Sequence, residues 1–325
     1  MKLRIPYMAL VMILMSCERK EKPILPFDRG NVKDVIIEMS NSYEYQVFYS
    51  LDSHKVVKTV NRMDWDLAFS CQDVHILHVN NGRGVYVAPT GKTSLSEVKD
   101  TNGLKFYWGQ PSLNTDSLAF GTYWKKDAQV FVVNLGTDNN GLPLGFIKCI
   151  PEIIANNTLK ITFAEIESTA SESLIIPKDS RYNFSYISLL NKKMVEIEPH
   201  KNTWDLVFMQ YTKLLFENPY PITRNYLVVG ALNNVHRVSG IAFDFENSFT
   251  KITPANIPDY TFYSNRDAIG FDWKWFDIGA NSYTVNPSMN YIINLTDGFY
   301  YKLHFLDFYN DKGIKGYPRF EYQKL

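Results

Sequence analysis

A five-residue string occurs twice in the chain, as Trp65-Asp66-Leu67-Ala68-Phe69 and, 139 positions later, as Trp204-Asp205-Leu206-Val207-Phe208. At the same offset Leu51 falls on Leu190 and Val56 on Val195. A second echo, Phe131-Val132-Val133-Asn134-Leu135 against Tyr291-Ile292-Ile293-Asn294-Leu295, follows at an offset of 160. Landmarks repeated in one order mean that one folding unit is used twice. The length of 325 residues agrees, being that of about two domains. Copy one is expected over 32–167 and copy two over 176–325. Trp65 to Asn134 spans 69 positions but Trp204 to Asn294 spans 90, so the middle of copy two carries an insertion. The segment Ile269-Gly270-Phe271-Asp272-Trp273-Lys274-Trp275-Phe276 is assigned to it.

The repeated units read as β structure. Apolar runs are short, rich in aromatic and β-branched residues, alternate with period two and end at turn signals. Asp297-Gly298 is a hairpin turn, after which Phe299, Tyr301, Leu303 and Phe305 share one face while Tyr300, Lys302 and His304 share the other. The string itself places Trp, Leu and Phe on one face of a core strand. Only Leu95 to Lys99 and Ser264 to Ile269 offer a helical turn or two. The expected fold is mostly β: two related antiparallel units with sandwich-type sheets and few short helices.

The first 17 residues have a different character. Lys2 and Arg4 precede an apolar stretch from Ile5 to Met15, which is too short for a permanent membrane span. It ends in Leu14-Met15-Ser16-Cys17, the pattern of a bacterial lipoprotein signal peptide whose cysteine takes the lipid. More than one acyl chain at Cys17 is enough for stable anchoring. Residues 18–31 begin with Glu18-Arg19-Lys20-Glu21-Lys22-Pro23 and read as a solvated tether. The protein is therefore expected on the outer membrane, lipid-anchored and displayed at the cell surface.

Lys and Arg number 34, as do Asp and Glu. Loss of Lys2 and Arg4 with the signal leaves a net charge of about −2, which argues against a nucleic-acid partner. Cys71 and Cys149 remain once Cys17 is lipidated. The compartment permits a bridge between them, but Cys71 continues the apolar face of the string and reads as a buried free thiol.

No P-loop, HExxH, GxSxG or CxxC pattern occurs, and Gly82-Arg83-Gly84 lacks the rest of a dinucleotide loop. The chain is read as a non-enzyme. His75 and His78 would point to opposite faces of one strand and cannot share a metal. His54 and His200 fall in corresponding polar turns, and His236 stands alone in Asn234-Val235-His236-Arg237. Asp100-Thr101-Asn102-Gly103 and Asp138-Asn139-Asn140-Gly141 resemble fragments of calcium loops but lack the later glutamate and read as turns. Trp273 and Trp275, with Phe276 and Tyr283 near them, would form a flat apolar wall on one strand face. Such a wall suits either a ring-shaped ligand or a sheet-to-sheet core.

With both strings, the segment Ile269 to Gly279, and the ending Tyr300-Tyr301-Lys302-Leu303-His304-Phe305 through Phe320-Glu321-Tyr322, the chain resembles the HmuY-like lipoproteins of Bacteroidetes. Copy two carries the resemblance best. The resemblance implies a mostly-β surface haemophore that holds haem through axial histidines or methionines and passes it to a TonB-dependent receptor. One axial histidine of that pattern would align with Ile278, which cannot ligate iron; His236 and Met289 are the neighbouring candidates, and Met209 and His304 are further potential donors. The expected function is capture of haem or another small hydrophobic or ring-shaped ligand, with Trp273, Trp275, His236 and Met289 as tentative contacts and no metal ligand assigned. The alternative is an interaction or scaffold lipoprotein that contacts a protein or glycan.

Overall fold

The computed structural model describes residues 29–72, 76–113, 117–121, 124, 128–154, 158–217 and 222–325. The signal, Cys17, most of the tether and His75 lie outside the described residues. Among them, four antiparallel sheets stack face to face, with strands numbered along the chain. The first outer sheet holds β6 (Tyr86–Pro89), β7 (Phe131–Asn134), β8 (Phe146–Ile154), β9 (Thr158–Glu165) and β10 (Glu172–Ile176). The first inner sheet runs β12 (Lys193–Val195), β11 (Phe184–Ser188), β4 (Leu67–Ser70), β5 (Leu77–Val79). The second inner sheet runs β14 (Ile222–Asn233), β13 (Leu206–Glu217), β2 (Tyr45–Ser50), β3 (Lys55–Asn61). The second outer sheet runs β1 (Lys33–Ile36), β20 (Lys315–Lys324), β19 (Tyr300–Tyr309), β18 (Asn290–Leu295), β15 (Val238–Asp244). A separate hairpin pairs β16 (Lys274–Asp277) with β17 (Ser282–Val285).

Three apolar layers fill the stack. Leu67, Phe69, Val133, Ile161 and Ile187 lie between the first outer and inner sheets. Tyr49, Phe208, Tyr291, Phe305 and Phe320 do the same for the second pair. Phe48, Trp65, Tyr186, Trp204, Met209 and Leu232 form the central layer between the two inner sheets. Both inner sheets are thus buried on two faces, which explains their near-continuous apolar strands. The mostly-β, duplicated fold expected from sequence is the one observed.

The sheets cut across the sequence repeat. Hairpin β2–β3 belongs to copy one but pairs through β2 with β13 of copy two, Val47 opposite Phe208 and Phe48 opposite Val207. Hairpin β11–β12 belongs to copy two but pairs through β11 with β4 of copy one, Tyr186 opposite Ala68. The two copies have therefore exchanged their leading hairpins. Residues 45–61 and 184–195 each sit in the half of the stack built mainly by the other copy.

The aspartate of each string clamps the exchanged hairpin. Asp205 accepts a hydrogen bond from the Leu51 backbone N–H at 2.8 Å, and Asp66 accepts one from the Leu190 N–H at 3.1 Å. The backbone follows the same rule: Asp205 N donates to Tyr49 O and Asp66 N to Ile187 O, both at 2.8 Å. An arginine backs each carboxylate, Arg237 Nε at 3.0 Å from Asp205 and Arg83 in contact with Asp66. Asn80 and Asn234 close the motif, their side-chain amides donating to Trp65 O at 2.8 Å and Trp204 O at 2.6 Å. The equivalence Leu51/Leu190 read from sequence is thus the equivalence of two clamped turns.

Several expectations change. The string does not put its three large residues on one face: Leu67 and Phe69 enter an outer layer while Trp65 enters the central one, and Leu206, Phe208 and Trp204 divide in the same way. The reason is that Trp65 and Trp204 precede β4 and β13 and lie outside the strand alternation. Most of the extra length of copy two lies in the β13–β14 hairpin, because Asp205 to Asn234 spans 29 positions where Asp66 to Asn80 spans 14. Lys302 is buried rather than on a solvated face, since residues 249–252 cover that side of the sheet and take its Nζ on Phe249 O at 2.8 Å and Ile252 O at 3.0 Å. Lys148 repeats the device in the first outer sheet, donating to Val98 O at 2.9 Å and Ile166 O at 2.8 Å. Leu95–Glu97 is a single 3-10 turn, while 264–269 forms no helix. Cys71 and Cys149 are both buried free thiols, and burial pushes the Cys149 thiol up to about 12.

Candidate functional site

The aromatic segment of copy two divides at Lys274. Trp273 is fully buried and stacks on Phe305 with centroids 3.9 Å apart, so it is part of the second outer core. Trp275, two residues on, is 50% exposed on the β16–β17 hairpin. The two rings form no common wall, because Trp273 lies before the strand begins and turns inward. Lys274 is buried between the Trp273 and Phe308 rings, its Nζ 2.5 Å from Val229 O. Burial brings that amine down to about 7.

Two open clefts share Lys315, and this hairpin walls one of them. The first, of about 630 Å³, lies along the edge of the central layer; Tyr43, Arg62, Tyr86, Asn139, Gln210 and Lys315 are among its lining residues. The second, of about 480 Å³, is lined by Tyr226, Phe276, Asn281, Tyr283, Tyr309, Gly313 and Lys315. Both volumes are in the range of small-molecule sites. Lys315, the first residue of β20, stands in both walls.

Local structure explains the placement. Gly316 has φ +93°, and a Cβ there would come within 2.1 Å of Ser40 O. Glycine lets the turn at Ser40–Tyr43 lie against β20, which brings the Tyr43 ring under the Lys315 ammonium at 5.4 Å. Gly82 plays the corresponding part across the seam, where a Cβ would meet Gln210 O at 2.2 Å. In the second cleft Phe276 packs edge-on against Tyr283 at 5.2 Å, and the Tyr283 N–H donates to Tyr309 Oη at 2.7 Å. These contacts fix the aromatic wall before any ligand arrives.

In the first cleft Arg83 is paired with Asp66, and Glu44 is the charged neighbour of Arg62. Arg62 donates to Asn139 Oδ1 at 3.2 and 3.1 Å and contacts Gln210 Oε1, partners that are neutral amides. The Asp138 carboxylate turns to backbone, accepting from Asn140 N and Leu142 N, each at 2.8 Å. Among the described residues no carboxylate pairs with Lys315.

The tentative donors do not meet. His236 is exposed in the turn after β14, in the place that Gly82 holds in the Asn-x-x-Arg turn of copy one, and its N–H donates to Asn234 Oδ1 at 2.9 Å. Met289 is 8% exposed inside the second outer core, where its sulfur accepts from Tyr291 Oη at 3.3 Å. Met209 lies in the central layer. His304 lies on the covered face of β19, bonded to Glu321 at 2.7 Å and stacked on Phe249 at 4.3 Å. Ile278 is 87% exposed near the hairpin tip. Among the described residues, no histidine, methionine or cysteine lines either cleft. No group of three or more His, Cys, Asp and Glu among the described residues is placed to hold a metal ion. The described residues that line these clefts do not supply an axial donor pair for haem iron.

Sequence reasoning reached Phe276 and Tyr283 but missed Tyr43, Arg62, Tyr226, Tyr309 and Lys315. The Asn-x-x-Arg spacing shared by Asn80/Arg83 and Asn234/Arg237 was the available signal for the clamp, and it identifies His236 as a turn residue. No helix among the described residues is long and apolar enough to cross a membrane.

The family described as HmuY protein matches the chain twice, over residues 42–179 and 180–322. Three similar solved structures are the apo HmuY analog of Tannerella forsythia, a putative HmuY-like haem-binding protein of Bacteroides vulgatus, and apo PinO of Porphyromonas gingivitis. Identity is 10% for the first, with 92% of this chain and 98% of that one covered at a TM-score of 0.30. The second has 12% identity, 91% and 95% coverage and a TM-score of 0.25. For the third the values are 8%, 91%, 98% and 0.30. No curated protein matches the chain.

Proposed function

The chain belongs to the HmuY protein family, and from that premise we propose a binding protein rather than an enzyme, one that captures haem or another hydrophobic ring-shaped ligand. The observation that carries the reading is the preformed aromatic wall of Tyr226, Phe276, Tyr283 and Tyr309 beside Lys315. Flat aromatic faces with one polar handle suit a planar ligand that is buried on one side and wet on the other. Ligation by a histidine or methionine pair is not part of the proposal, since those residues do not reach the clefts.

The delivery arrangement is part of the same reading. A lipid on Cys17 would tether the body to the outer membrane at the cell surface, and a TonB-dependent transporter would take the ligand from it. Its support is the N-terminal sequence pattern together with the family. Titration of haemin into the protein tests the capture step. The expected result is saturable quenching of tryptophan fluorescence without the absorbance change of a two-histidine or histidine–methionine complex. Absence of any saturable response to haemin or to its metal-free ring would overturn the reading.

A second reading has its own support. Trp275, Phe276 and Ile278 on the hairpin are 50%, 44% and 87% exposed, beside Tyr226 at 51%. Exposed large apolar side chains gathered on one short hairpin suit contact with a partner protein or glycan.

A further inference from the structure

We infer that Lys315 selects ligands that carry a carboxylate on a flat apolar body, and that the presence of a metal in the ring does not decide binding. The inference rests on the proposed ring-shaped ligand and names its chemical class. Three observations carry it. Lys315 is exposed and, among the described residues, is the one that lines both clefts. Its ammonium faces the Tyr43 ring but no carboxylate among the described residues. Around it no side chain among the described residues forms an ion pair with Lys315: Arg62 bonds amide oxygens and has Glu44 as its charged neighbour, and the cleft's carboxylate, Asp138, is turned to two backbone N–H groups.

The chemistry of the walls completes the argument. A ring set against Phe276 and Tyr283 in the second cleft would keep its edge at Lys315, where an acidic substituent meets the charge and extends into the first cleft toward Arg62. Stacking and burial of the ring need no iron. A donor pair would make the metal decisive, and none among the described residues lines these clefts. A neutral ligand of the same shape would forgo the charge pair with Lys315, whose ammonium would stay solvated, and would bind more weakly by that pair's contribution.

The test compares protoporphyrin IX, its dimethyl ester and haemin by fluorescence titration against the wild-type protein, K315Q and K315E. The free acid and haemin are expected to bind with dissociation constants within about threefold of each other. The more hydrophobic ester should bind about tenfold more weakly than the acid, and K315E should remove most of that difference, as befits one partly solvated charge pair. K315E should keep the wild-type unfolding midpoint because the side chain is exposed; if it does not fold, K315Q gives the same comparison with a smaller effect. Equal binding of acid and ester, or an acid affinity unchanged in both variants, overturns this inference and leaves ring capture standing. Haemin binding far tighter than the metal-free acid overturns it as well. Failure of all three rings to bind overturns the capture reading itself.

Discussion

Replacing Asp66 by alanine should loosen the hairpin of the other copy. Asp66 and Arg83 are both fully buried as side chains, and the carboxylate also accepts from Ser188 Oγ at 3.2 Å and Leu190 N at 3.1 Å. Removal leaves an uncompensated guanidinium and two donors in the interior, a loss of about 3–5 kcal/mol. D205A is the milder change. Arg237 is 17% exposed and keeps Asp297 at 3.2 Å, so the cost is about 1.5–3 kcal/mol, that of hydrogen bonds to a charged group. Denaturant unfolding gives the magnitudes, and native-state hydrogen exchange gives the location. D66A, in copy one, should deprotect 184–195 of copy two, and D205A should deprotect 45–61 of copy one. The reasoning is refuted if D66A instead exposes 45–61, the hairpin of its own copy, or if it costs less than about 1 kcal/mol.

Other outcomes follow from the same coordinates. W273A should cost about 3–5 kcal/mol in denaturant unfolding, because the ring is enclosed against Phe305 and Phe308, whereas W275A should stay within about 0.5 kcal/mol. Stability should respond to pH through buried groups of opposite sign. Burial pushes the Glu198 carboxyl from an ordinary 4.5 up to about 7; over that window the folded state holds a proton that the unfolded state lacks, so stability falls as pH rises. Burial brings the Lys274 amine from 10.5 down to about 7; over that window the unfolded state holds the extra proton, so stability rises with pH. Burial also brings the His78 imidazole from 6.5 down to about 3; over that window the unfolded state holds the extra proton, so this group offsets the Glu198 limb. Thermal midpoints measured from acid to alkaline pH should be nearly flat below neutrality and rise above it, with E198Q uncovering a rise on the acid side and K274M flattening the alkaline one. A wild-type profile that falls steeply on the acid side, or one with no alkaline rise, would contradict these assignments. In a thiol-reagent assay the buried Cys71 and Cys149 should react at the rate of unfolding, and rapid labelling of native protein would be inconsistent with their burial.

The duplication, the β class and the lone character of His236 were legible in the residues, since they depend on period, spacing and composition. The hairpin exchange was not. Leu51 and Leu190 occupy equivalent turns, so the local pattern is the same whether each hairpin meets its own aspartate or the other copy's. Only the connections choose between them. Trp273 and Trp275 are two apart, which on a continuous strand means one face, but the strand starts between them and the rule fails. Lys302 and Lys148 alternate as solvated residues should, yet each is roofed by a segment whose carbonyls take the ammonium. The cleft was the least legible part. Tyr43, Arg62, Tyr226 and Lys315 are distant in sequence and meet only because the two inner sheets join strands from both copies.

Hydrogen exchange of the protein with and without saturating haemin locates the site directly. Ring capture beside Lys315 predicts new protection in 226–227, 274–285 and 309–315 and no change in the turn at 234–237. Protection centred on His236, on His304, or on the 243–260 segment would place the ligand elsewhere and contradict the account.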